Sequence, residues 1–233
     1  FDSWRDTHLR IKGEAALALQ SIFAVSWFNT TQEKISGTAY FPQMEKEINT
    51  CLPIHITTAG PDSQWGAIRQ LYFFMIVSAQ QKVYIQTPFF IPNEIIAEAV
   101  KAVALAGVEV KIMCPPRGTT YSVPYWAANT YFAEMARAGV KIYLYQKGYF
   151  HPKTLNIDAS VCTVGTANVD IRSFSLNYEA NAVIYDEEKA KELEQDFLED
   201  LKHCVEWSLE AYEQRNPFVR LRDSIARLAS PLL

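Results

Sequence analysis

Between residues 63 and 145, stretches of helical periodicity alternate with short apolar runs, and this alternation limits the fold more than any other feature of the chain. Helical patterns over 63–79, 93–106 and 121–138 are separated by candidate strands at 83–87, 108–113 and 140–145. A helix between two strands carries the chain back across the sheet, so successive strands start from the same end and some must run parallel. Gly107 and Gly139 each stand between a helical pattern and a strand, where a glycine ends a helix in the left-handed conformation. The pattern predicts a layered α/β sheet. Further strands are expected at 8–11, 54–58, 153–157, 161–164 and 180–185, and further helices at 14–28 and 187–212. Residues 34–51 lack clear periodicity and read as a long connection, which puts a lobe boundary near Leu52.

The chain has 233 residues, 49% of them apolar, enough for a sizeable core and far from the composition of a disordered or collagen-like chain. A formal net charge of −4 argues against broad nucleic-acid binding, which needs a basic footprint, though a local basic patch stays compatible. Cys51, Cys114, Cys162 and Cys204 are scattered, with no CxxC pair. That spacing suits a reducing compartment better than a disulfide framework or a zinc site. The most apolar stretches, 15–28 and 71–77, fall short of the roughly 20 residues that a membrane-crossing helix needs. The chain opens on Phe1 within what reads as a loop, so it is expected to be a piece of something longer, with no signal peptide of its own.

Chemistry concentrates in Gly148-Tyr149-Phe150-His151-Pro152-Lys153-Thr154-Leu155-Asn156-Ile157-Asp158, continued by Gly165-Thr166-Ala167-Asn168. His151 and Lys153 are two apart, so in extended backbone both leave the same face. Gly165 turns the chain and brings Thr166 and Asn168 nearby. A neutral imidazole can attack phosphorus or shuttle a proton, while an ammonium and an amide supply donors where phosphate oxygens accumulate charge. No carboxylate cluster suited to magnesium accompanies them, so the residues read as a metal-free phosphoryl-transfer set with no cofactor. A lone HxK would be an ordinary surface pair. The full run HxK(x4)D(x6)GTxN is far more specific.

That run resembles the signature of the phospholipase D superfamily, in its second copy. Trp4-Arg5-Asp6-Thr7-His8, Gly60-Pro61-Asp62-Ser63, Thr87-Pro88-Phe89-Phe90-Ile91-Pro92, Asn168-Val169-Asp170-Ile171-Arg172-Ser173-Phe174 and Leu176-Asn177-Tyr178-Glu179 resemble the bacterial cardiolipin synthases in particular. The resemblance implies an α/β/α sandwich, a mixed sheet flanked by helices. It also implies two signatures in two similar lobes with the active site between them. This chain carries one, so residues 1–51 are expected to be the remnant of a first lobe with its connection, and 52–233 the second lobe. The implied reaction converts two phosphatidylglycerols to cardiolipin and glycerol through a phosphatidyl-histidine, with a second histidine as general acid and base. His151 is expected mainly in the acid/base role, with the nucleophile on the missing signature.

An internal echo supports the two-lobe reading. Asp6 and Glu179 each precede a short apolar run and then a helix. By the resemblance each carboxylate orients the opposite lobe's histidine, so Asp6 would hold His151 and Glu179 the histidine absent here. Lys153, Thr166 and Asn168 are the expected phosphate donors, with Thr166 equally suited to supporting the turn. Asp158 belongs to the signature but lies on the face opposite His151, which suggests a structural role beside the catalytic one implied by the motif. Arg172, Ser173 and Asn177 are expected to order the loop beneath the site, and His8 to be a packed histidine rather than a catalyst. His55 and His203 carry no functional signal.

Phe89 and Phe90, together with Tyr121, Tyr125, Trp126 and Arg117, either line an apolar lipid entrance with a cation at the headgroup or pack in the core. The tail from Asn216 repeats Phe218, Leu221, Ile225, Leu228 and Leu232 at helical spacing among Arg220, Arg222 and Arg227. It reads as an interfacial membrane helix or one docked on the domain. The expected partners are phosphatidylglycerol, a membrane surface, and either the missing half or a second copy. The expected location is the cytoplasmic membrane, with the catalytic part on its cytoplasmic side and the anchor upstream. Two alternatives remain open: a single-signature phosphodiesterase or nuclease completed as a homodimer, and a non-catalytic lipid-binding module.

Overall fold

The computed structural model describes residues 3–43, 51–116 and 122–232. Eight strands form one mixed sheet in the order β12-β6-β5-β3-β8-β9-β11-β2. The strands are β2 (Ile54–Ala59), β3 (Lys82–Gln86), β5 (Glu109–Cys114), β6 (Lys141–Tyr145), β8 (Thr154–Ile157), β9 (Val161–Gly165), β11 (Glu179–Ile184) and β12 (Cys204–Glu206). β3, β5 and β6 run parallel, while β8, β9, β11 and β2 continue from β3 as an antiparallel set. The parallel part is the segment whose strands alternate with helices. The antiparallel part begins where those helices stop and short turns take over.

The central strands are buried on both faces because the sheet is covered on both. Val83, Ile85, Ile112 and Leu155 enter a core beneath α2 (Ala67–Ser78), α3 (Glu94–Leu105) and α4 (Ser122–Arg137). The alternate residues Tyr84 and Met113 meet Phe197 of α6 (Glu187–Leu201) on the other side, and Tyr84 stacks on Phe197 at 4.6 Å. This is the α/β/α sandwich. Gly107 and Gly139 do stand at φ 98° and 92°, directly after α3 and the α4 turn.

Three expectations need correction. No strand forms at 8–11; instead β1 (Trp4–Arg5) pairs in parallel with β7 (Tyr149–Phe150), and His8 is exposed rather than packed. The helical pattern over 187–212 breaks into α6, β12 and α7 (Leu209–Glu213). Its period hid an edge strand, since Val205 pairs with Leu144 of β6. The helix expected from residue 63 begins only at Ala67, after Gly66 at φ 55°.

Two further short strands, β4 (Phe90–Ile91) and β10 (Val169–Asp170), pair in parallel and tie the segment after β3 to the Asn168 loop. α5 (Ile171–Ser175) follows β10 directly, and its N-cap is Asp170, which accepts from Ser173 N at 2.6 Å. α1 (Glu14–Thr31) touches β2 at one sheet edge and has no buried residue. α8 (Pro217–Arg227) lies along α4, and the last short 3-10 turn, Ser230–Leu232, packs on α5.

Candidate active site

The site forms where β7 runs out before β8. His151, Pro152 and Lys153 lie in the extended link between these strands. His151 is anchored by its backbone, which donates to Arg5 O at 2.9 Å, while Tyr149 N donates to Ser3 O at 2.9 Å. β1 therefore lies directly against the histidine segment. Gly148 permits the approach: its φ is 91°, and a Cβ there would stand 2.1 Å from Ser3 Oγ. No other residue type fits both the conformation and the space.

Asp6, one residue beyond β1, places Oδ2 at 2.9 Å from His151 Nδ1. On its other side, Lys153 Nζ stands 2.9 Å from His151 Nε2 and donates to His151 O at 2.7 Å. An ammonium only donates, so the network assigns the proton to Nδ1, facing the carboxylate, and the lone pair to Nε2. Nε2 is the atom that takes a proton or attacks an electrophile. The imidazole is 36% exposed, with Nε2 against the Lys153 ammonium. Trp4 meets the ring edge-on at 5.6 Å and Tyr149 stacks near it at 5.8 Å.

Charge around the ring is divided. Burial alone would raise the Asp6 carboxyl, but hydrogen bonds from His151, Thr7 N and Trp4 Nε1 outweigh it and hold the group below its usual range. Burial pulls the Lys153 ammonium down to about 8 against the pull of Asp6, Glu179 and Asp170, all of which raise it. A desolvated cation beside an imidazole is suited to an anionic ligand that restores its charge balance. Asn168 lies in the β9–β10 loop, three residues beyond Gly165, whose N donates to Lys153 O at 3.2 Å. Its side chain bonds to the Asp170 carboxyl, leaving Oδ1 buried with no hydrogen-bond partner. Burial in turn raises the Asp170 carboxyl despite its bonds to Ser173.

Glu179 sits at the start of β11 in a separate chain of bonds. It accepts from Thr166 Oγ1 and from Asn177 Nδ2, the latter at 3.1 Å, and Arg172 Nε donates to Asn177 Oδ1 at 3.1 Å. Thr166 Oγ1 also accepts from Ala180 N at 3.0 Å, so its hydroxyl supports the turn and its proton points at Glu179 rather than at a phosphate. Among the described residues, no group of three His, Cys, Asp or Glu is arranged to hold a metal ion.

Other expected site residues fall elsewhere. Asp158 stands at the far end of β8, where its carboxylate accepts from Gln80 N and Gln81 N at 2.8 Å and Lys82 N at 2.6 Å. It fastens the α2–β3 turn to the β8–β9 turn and does not join His151. Phe90 is fully buried and stacks with Phe132, so it belongs to the core, where it also lines the crevice beside Phe89. Trp126 also packs against the core, with Arg222 over its ring at 4.4 Å. Phe89 and Tyr125 do meet, in a small crevice with Pro88 and Pro115. Arg117 and Tyr121 lie outside the described residues.

Sequence reasoning missed the anchor of β1. Arg5 pairs with the buried Asp200 of α6 at 2.7 Å, and Gln86 Nε2 reaches the same carboxylate at 2.9 Å. Thr154 Oγ1 donates to Gln86 Oε1 at 3.0 Å, closing a buried chain that runs under the histidine segment. Only the i, i+2 spacing of Trp4 and Asp6, which puts them on one face, signalled that β1 brings an aromatic ring as well as a carboxylate.

Fold and site together define a phospholipase D-like domain, in which histidine and lysine lead into a central strand of a two-sided mixed sheet and asparagine follows the next strand. Solved structures with this fold include Nuc of Salmonella typhimurium, a phospholipase D family member, with TM-score 0.58, 20% identity, and coverage of 66% of this chain and 99% of that one. Phosphatidylserine synthase of Haemophilus influenzae matches with TM-score 0.63 and 15% identity, over 96% of this chain and 56% of that one. The family model described as cardiolipin synthase, PLD-like domain, matches residues 72–201, and the chain belongs to that family. A cardiolipin synthase of Clostridium perfringens is 44% identical over 99% of this chain and 49% of its own length. The chain spans about half the length of the curated relatives it matches.

Proposed function

We propose that this chain supplies one catalytic half of a cardiolipin synthase-type phosphatidyltransferase. The observation that carries the reading is His151, partly exposed, held at Nδ1 by Asp6 and with Nε2 beside the Lys153 ammonium. The family and its cardiolipin synthase relatives support a phospholipid substrate, for which the reading takes phosphatidylglycerol.

In the proposed reaction a histidine nitrogen attacks the phosphorus of one phosphatidylglycerol. The bond from phosphorus to the glycerol oxygen breaks, and the leaving glycerol takes a proton from the second histidine. That histidine then removes the proton from a hydroxyl of the next phosphatidylglycerol, whose oxygen attacks phosphorus, breaks the P–N bond and yields cardiolipin. Each step needs two imidazoles, and this chain brings one in its signature. His151 acts as general acid and base, because the Asp6 carboxylate stabilises the imidazolium formed when Nε2 accepts a proton. Lys153 and Asn168 face the phosphate. Glu179, with Thr166 and Asn177 fixing it, waits for the other half's histidine. Residues 1–51 then belong with the first lobe and 52–233 form the second. The reaction takes place at the cytoplasmic membrane, on its cytoplasmic side, which suits a bilayer substrate and four free thiols.

The test is turnover of labelled phosphatidylglycerol by the purified chain, alone and mixed with the remaining half of a cardiolipin synthase. No product is expected from the chain alone, and cardiolipin from the mixture. Histidine-to-alanine replacement at 151 should remove the product. Robust turnover by the monomeric chain would contradict the half-site, and cleavage of DNA by a dimer would favour a nuclease instead.

A further inference from the structure

The C-terminal helix docks on the domain the wrong way round for a soluble protein. The sequence led us to expect an interfacial membrane helix or one docked on the domain. α8 is docked, and it packs its charged side on α4. Arg222 covers Trp126, Arg227 lies over the Tyr131 ring at 4.1 Å and pairs with Glu134 at 2.8 Å, and Asp223 is fully buried. The apolar stripe faces out, with Phe218 79%, Leu221 55%, Ile225 58%, Leu228 80% and Leu232 76% exposed. Five apolar side chains on one stripe are more than a soluble surface leaves uncovered without a use.

We propose that this stripe is a docking surface for an anionic phospholipid bilayer. Three observations choose lipid over a protein partner. Of the four arginines in residues 215–232, Arg222 pairs with the buried Asp223 and Arg227 with Glu134, and the other two, Arg215 and Arg220, have no ion pair among the described residues, so the segment still presents positive charge on a chain whose net charge is −4. The geometry is that of a helix lying in the headgroup plane, with apolar side chains down and the domain carried on its polar side. The ridge also ends beside the site: the turn holding Leu232 packs on α5, which begins three residues after Asn168. A bilayer under the ridge would bring headgroups to the Asn168 side of the domain. α1, the other exposed apolar helix, lies instead at the β2 edge.

The inference rests on the reading of the substrate as a bilayer lipid, but binding needs no turnover, so its failure is distinguishable from failure of the transfer reaction. The whole chain is sedimented with sucrose-loaded phosphatidylglycerol vesicles beside a variant carrying Phe218→Ser, Leu221→Ser, Ile225→Ser and Leu228→Ser. All four side chains are more than half exposed, so the variant should keep its fold, checked by its melting curve. We expect the variant to bind at least tenfold more weakly. A smaller loss, including unchanged binding through α1, overturns the proposal, as does a wild-type chain that stays in the supernatant. A dimer that the four substitutions convert to a monomer in sedimentation velocity would make the stripe a protein contact and equally overturn it.

Discussion

Lys153 is buried beside three carboxylates, and the two influences oppose each other. Burial wins and brings its ammonium to about 8, although Asp6, Glu179 and Asp170 all favour the charge. Its folded value lies below the ordinary 10.5, so holding it charged opposes folding below about pH 8, and that cost fades as pH rises past this point. In the proposed site ligand binding would run the opposite way, because the ammonium is the group that would meet a phosphodiester. Dimethyl phosphate, which keeps one negative charge throughout, should therefore bind more weakly as pH rises through about 8. Lys153→Arg should move that loss to higher pH, as titration calorimetry would record; a flat profile in the wild type would show that Lys153 does not meet the anion. Asp158 teaches the reverse lesson at the same scale. Its place in the signature implied chemistry and its face opposite His151 a structural role, and its three backbone bonds make it a fastener.

Among the elements, β1 matters out of proportion to its two residues. Its hydrogen bonds to β7 and the Arg5–Asp200 pair together set Asp6 against His151. Gly148→Ala would force a positive φ on a residue that resists it and drive a Cβ into Ser3. We expect a loss of about 1–3 kcal/mol in urea unfolding. We also expect imidazole nitrogen NMR signals that match those of Asp6→Asn, since both changes remove the carboxylate from Nδ1. Signals unchanged from wild type would mean that Asp6 holds its place without β1. The sequence placed this strand at 8–11 because the apolar alternation is there. The pairing lies earlier, where Trp4 and Arg5 carry no such pattern, since their partners are 145 residues away. The same reason hid β12 inside a helical period: an edge strand of three residues is decided by its neighbour β6 and not by its own composition.

For the molecule as a whole, the unusual feature is α1. It is rich in Ala, Leu, Phe and Trp, and a helix apolar on all sides is normally enclosed, yet none of its residues is buried. Such a helix has little to hold it in the isolated chain. Its amides should exchange with solvent at least 1,000-fold faster than those of β3, β5 and β8, which open only with the whole domain. Hydrogen exchange followed by mass spectrometry would measure this. Adding the other half should slow α1 specifically, and an α1 already protected alone would count against the two-half reading.

The sequence by itself determined the parallel core and the chemistry of the site. The helix–strand alternation, the two helix-ending glycines and the HxK spacing are local patterns, written within a few residues of one another. It also pointed to both carboxylates, through the resemblance to the phospholipase D superfamily. Only the tertiary structure decided which residues the site keeps. Long-range pairing brought Asp6 to Nδ1, fixed Thr166 on Glu179 and sent Asp158 to the far turn. It also turned the charged side of α8 inward, since Trp126, Tyr131 and Glu134 offer its arginines partners that no helical period reveals. Periodicity tells which side chains share a face, and the packing of neighbouring elements decides what that face meets.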